Sequence, residues 1–293
     1  MGSVNLAHAL AQWVLAAGIS DQHQYEDMVW NKTKDVMKEF VDYMNTEDIT
    51  SYAANCDNTG WEHYAYKKGE KLVTQTVGDR IVCVLMVGAL FFMNWGNTTA
   101  SSKHKEDENS AKITEHLRCI IVHMFGEILN ESVCRSRWGI FYAWKQMEEM
   151  DSGKESFSAG LINQGTCGRE IFPDLKTPNL KLNVQVKKWL AENSRLERRL
   201  KQVKGTNTCK TTWQKEWKIA DFLNNEKMEN KHNLEVTSMV RDVKEAMKEI
   251  LEELEKHVER GVEQREEAKR AQLGKAWHVP PELDRLEHIR KDK

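Results

Sequence analysis

The chain has 293 residues, 40% of them hydrophobic, which is enough to build the core of one large domain or of two ordinary ones. Its 43 basic and 45 acidic side chains leave a net charge of −2, so no overall field selects nucleic acid or an anionic membrane surface as a partner. The four prolines, Pro173, Pro178, Pro280 and Pro281, leave the first 172 residues open to long helices.

The start, MGSVNLAHALAQWVLAAG, has no basic leader, and His8 and Gln12 interrupt its apolar run, so it reads as an amphipathic helix and not as a signal peptide. Leu6, Leu10, Trp13, Val14 and Ala17 recur at helical spacing over residues 4–17, and Gly18 is placed to end the element. A second helix over 25–44 carries Val29, Val36, Phe40, Val41 and Met44 on one stripe. Residues 45–58 break the pattern and bring Cys56 among turn formers. The central stretch, IVCVLMVGALFFM at 81–93, is uncharged, too short for the roughly 20 apolar residues of a membrane span, and suited to a helix buried on every side. That helix is expected to begin at 76–79 and to end at 94–96.

Residues 97–109 are polar and aperiodic, an exposed loop. Ile113, Leu117, Ile120, Ile121, Met124 and Ile128 then give the strongest amphipathic stripe in the chain. Residues 137–150 form another helix, with Ile140, Phe141, Trp144 and Met147 facing inward. Residues 151–178 read as a long loop that Cys167 could tether. Leu182, Val186, Trp189, Leu190, Leu196, Leu200 and Val203 define a further helix stopped near Gly205. Composition shifts at 224–232, beyond which no cysteine occurs and Val240, Val243, Met247, Ile250 and Leu254 alternate by three and four. The expected organisation is an all-α, disulfide-stapled multi-helix bundle in 1–223, around one buried apolar helix. A long, charged amphipathic helix and tail follows in 224–293, separable from the bundle.

Enzyme chemistry finds little support. GxxxxGK[ST], GxGxxG, HExxH and GxSxG are all absent, which removes the usual phosphate, dinucleotide, zincin and nucleophile-elbow signatures. His116, Cys119 and His123 share a helical face, but the two histidines start about 10 Å apart along the axis, too far to close on one zinc. A Cys119 and His123 dyad would lack an orienting partner. No catalytic, cofactor-binding or metal-ligating residue is therefore expected. The sequons at Asn31, Asn97 and Asn130 are short patterns, of which only Asn97 falls in an expected loop.

The six cysteines, Cys56, Cys83, Cys119, Cys134, Cys167 and Cys209, lack CxxC pairs and fit disulfides better than metal. Cys119 and Cys134 would lie about 22 Å apart on one continuous helix, so each would need a partner on another element. The 15 connectivities stay open, and the burial of Cys83 in an apolar helix also fits a free thiol.

The phrases YAANCDN, VGDRIVCVLMVGALFFMN, LRCIIVHMF, ESVCRSRWGIFYAW and GTCGR, in that order over about residues 5–210, resemble the extracellular alpha-type cysteine-rich domain of the schizont-infected cell agglutination (SICA) variant antigens of malaria parasites. The resemblance implies a non-enzymatic module on the infected red-cell surface, exported without a standard signal peptide and anchored by a transmembrane segment elsewhere. This chain carries no such segment and is expected to be an ectodomain piece or a truncated member. Exposed loops would vary antigenically, with host receptors or antibodies as partners and no nucleic acid. The competing reading is an intracellular helical scaffold with reduced cysteines, binding a partner helix through the stripe from Val240 to Leu254.

Overall fold

A computed structural model describes residues 2–45, 51–52, 54, 56–57, 61–63, 71–95, 108–134, 137–152, 188, 191–205, 207–223 and 231–276. The described residues are helical: α1 Gly2–Ala16, α2 Gln22–Met44, α3 Val77–Trp95, α4 Glu108–Ser132, α5 Trp138–Ser152, α6 Ser194–Gly205, a 3-10 turn Asn207–Cys209, α7 Ile219–Leu223 and α8 Lys231–Ala276. No strand is present among them, only two isolated antiparallel bridges, Glu62 with Leu72 and Thr76 with Thr212.

The all-α architecture expected from the sequence is the one observed; the boundaries expected at Gly18 and at 76–79 hold, whereas α2 begins at Gln22, ahead of the expected residue 25. Gly18 sits at φ 65° after α1, a conformation that costs glycine little. Asp21 caps α2 by accepting from the Gln24 amide at 2.9 Å. α3 opens on a reciprocal cap in which the Thr76 hydroxyl accepts from the Asp79 amide at 3.2 Å and the Asp79 carboxylate accepts from the Thr76 amide at 3.0 Å. The continuous helix expected from Leu182 to Val203 instead restarts at Asn193, whose side-chain oxygen accepts from the Leu196 amide. An internal cap competes well with helix continuation when the residue is Asn.

α3 is the centre of the bundle. From Ile81 to Met93 every residue is buried except the half-buried Phe91, and α2, α4, α5 and α8 pack around it. The approach of α5 depends on Gly139, where a Cβ would collide with the Asp79 carbonyl oxygen and stand 2.8 Å from Val82 Cβ. α1 lies on α4 through a satellite cluster of Trp13 and Ile113.

α8 runs antiparallel to α2, as Lys38 with Glu255, Trp30 against Gly261 and Glu26 with Arg265 pair in descending order. The compositional boundary at 224–232 is not a boundary of the core: Val240, Val243, Met247, Ile250 and Leu254 belong to the same buried cluster as α3. That stripe is spent on the chain's own core, so it is not a surface for a partner helix. Among the described residues no helix is long and apolar enough to cross a membrane.

Candidate functional site

Four of the six cysteines form two disulfides. Cys56 bonds Cys83 with Cα atoms 5.9 Å apart, and Cys134 bonds Cys209 with Cα atoms 5.7 Å apart. Cys119 is also disulfide-bonded, and no cysteine is free among the described residues. Cys167 lies outside them. The apolar setting of Cys83, which also fitted a buried thiol, turns out to hold a bridge that pins the segment before α3 to the second turn of that helix. The Cys134–Cys209 bridge fastens the end of α4 to the 3-10 turn. It passes so close to Gly78 that a Cβ there would collide with Cys134 Sγ.

Both staples converge on the first turns of α3, where Arg80 is only 1% exposed. Its guanidinium lies 5.0 Å from the Trp61 ring and 5.5 Å from the Trp213 ring, while Nε and Nη1 find no hydrogen-bond partner. Burial pushes its pKa down to about 10, against the pull of Asp57 and Asp79. Trp61 stacks on Tyr142, whose hydroxyl donates to the Glu62 carbonyl, and Trp213 meets Trp217 and Phe222 edge to face. Backbone bonds close the lid: Val77 donates to the Thr211 carbonyl and Trp213 donates to that of Gln75, both at 2.9 Å. Asp57 accepts from the Ile219 amide at 3.1 Å. Apart from Arg80 Nε and Nη1, these groups hydrogen-bond to or pack on one another. Their effect is to lock three connecting segments onto the head of α3.

Sequence reasoning missed this hub. Arg80 directly follows Asp79 at a helix start, a pattern that ordinarily reads as solvated charge, and only the tryptophans scattered at 61 and 213 hint at a partner.

The face of His116, Cys119 and His123 is closed to metal binding and to thiolate chemistry. The Cys119 sulfur is spent in a disulfide and can be neither thiolate nucleophile nor ligand. His116 is 4% exposed with neither ring nitrogen hydrogen-bonded, and His123 stacks on Trp144. Among the described residues no group of three or more histidines, cysteines or carboxylates is placed to hold a metal ion. Of the sequons, Asn130 is buried in α4 and Asn31 is exposed on α2, and Asn97 lies outside the described residues. The expected loops at 97–109 and 151–178 also lie outside them, except for Glu108, Asn109, Asp151 and Ser152, which are helical.

No protein-family model, curated protein or solved structure matches this chain.

Proposed function

We propose that the chain is a non-enzymatic module of a variant surface antigen shown on an infected red cell, with host receptors or antibodies as its contacts. The observation that carries this reading is the redox state of the cysteines. All five that are described are spent in bridges, and such bridges persist in oxidising, extracellular surroundings and are rare under cytosolic reducing conditions. The resemblance to the SICA alpha-type domain supplies the family, the display site and antigenic variation. The packing adds a rationale for the mode of recognition: Trp61, Trp213 and Arg80 are committed to the interior and the described cysteines to bridges, so contact falls to loops that can change without disturbing it. The intracellular scaffold loses its supports, because its stripe is buried and its described cysteines are paired.

Antibodies raised against the folded module test this. They should label intact infected red cells, and surface trypsin treatment should remove the label. Labelling that appears only after permeabilisation would overturn the surface-display reading.

A further inference from the structure

A cleft of about 360 Å3 opens between the C-terminal end of α2, the short α7 and the first half of α8. The volume falls within the roughly 300–1,000 Å3 of small-molecule sites. Met44, Leu85, Phe125, Leu223, Met247 and Leu251 make its apolar lining. Its edge is different. Arg241, Lys244 and Lys248 stand there at i, i+3 and i+7, on one face of α8, with Glu245 the carboxylate beside them. Arg241 donates to the Ser238 hydroxyl at 3.4 Å, whereas Lys244 and Lys248 enter no ion pair among the described residues.

We propose that this cleft binds a single-chain anionic amphiphile, with its alkyl chain on the apolar lining and its carboxylate against Lys244 and Lys248. The two halves of the cleft require the two halves of such a ligand. A free inorganic anion would leave the apolar lining wet, and a neutral alkane would leave the cations unanswered. Each methylene moved from water onto the lining strengthens binding about four-fold, so a short chain suffices. The C-terminal end of the 23-residue α2 carries partial negative charge at Met44, which favours the carboxylate over α8. The site stands on the cleft alone and holds whether or not the module is displayed on a red cell.

Calorimetric titration of the oxidised full chain with octanoate, 1-octanol and inorganic phosphate tests the site. Octanoate should bind saturably with one site per chain, octanol at least ten-fold more weakly, and phosphate not measurably. The surface double variant Lys244→Glu/Lys248→Glu should melt like the parent and bind octanoate at least ten-fold more weakly. Leu223→Trp, which fills the cleft from its mouth, should abolish binding. Octanol binding as tightly as octanoate, octanoate binding unchanged in the charge-reversed variant, or no saturable octanoate binding to the parent would each overturn the proposal.

Discussion

Arg80 is the residue whose energetics are least like those of its neighbours. Two of its nitrogens lack hydrogen bonds, so the ring contacts and the pull of Asp57 and Asp79 must offset the desolvation of the charge. Asp79 and Asp57 each have other donors, Thr76 and Ile219, and so are not orphaned when the cation goes. Arg80→Met, which keeps a stem between the two tryptophans, should leave the urea unfolding free energy unchanged or raise it by about 1–2 kcal/mol. Arg80→Ala should cost about 2–4 kcal/mol through the void it leaves. A methionine variant as unstable as the alanine one would mean that the charge itself holds the hub. His116 gives a pH dependence of defined sign. Burial lowers its pKa below the ordinary 6.5, so between the two values the unfolded chain binds the extra proton and stability rises with pH. The contribution is complete above the unfolded value and is lost as pH drops from about 6.5 through the lower, folded value. His116→Leu should flatten that part of a melting-temperature profile taken from about pH 7.5 to about pH 5. An unchanged slope would show that the ring is solvated.

At the level of elements, the stripe of α2 was legible, with Val36, Phe40, Val41 and Met44 all in the core. In α4, by contrast, the expected Leu117, Ile120 and Met124 are half-buried, and Cys119, Val122, Phe125 and Leu129 are buried beside Ile121 and Ile128. The all-round burial of α3 followed from the absence of charge between Ile81 and Met93. Contacts across elements were not legible. Nothing local to WGIFY says that Gly139 is where α5 meets the backbone of α3, and cysteine spacing alone does not pair Cys134 with Cys209. Gly139→Ala should therefore cost about 2–3 kcal/mol, since the new methyl meets a carbonyl oxygen and a β-branched carbon that rotamer changes cannot move away. Calorimetry of the variant checks this, and a melt like the parent's would mean that the two helices separate freely. Ala89, 0% exposed on α3, makes the complementary point about charge. Ala89→Glu should cost several kcal/mol and prevent folding in the unpaired state, read as loss of soluble, helical protein.

Across the whole molecule, the change in composition at 224–232 suggested two units because it marks a change in surface charge, whereas core membership depends on the stripe, and the stripe of α8 completes the core around α3. Ile250→Ala should accordingly cost about 2–5 kcal/mol and lower the melting of the entire chain. Tryptophan fluorescence, reporting on Trp61 and Trp213, should move together with far-ultraviolet circular dichroism. Two separated transitions would restore the division at 224–232. The bridges act at the same scale. In the chain-entropy model, links spanning 27 and 75 residues stabilise by about 3.5 and 4.5 kcal/mol. They fix where three connecting segments meet α3. Peptide mapping of the protein alkylated and digested without reductant addresses that framework most directly. It should yield one cross-linked species joining the peptides of Cys56 and Cys83 and another joining those of Cys134 and Cys209, with Cys119 absent from every alkylated peptide. Alkylated Cys56 and Cys83 in the native protein, or either cysteine linked to a different partner, would contradict the stapled bundle on which the surface-module reading rests.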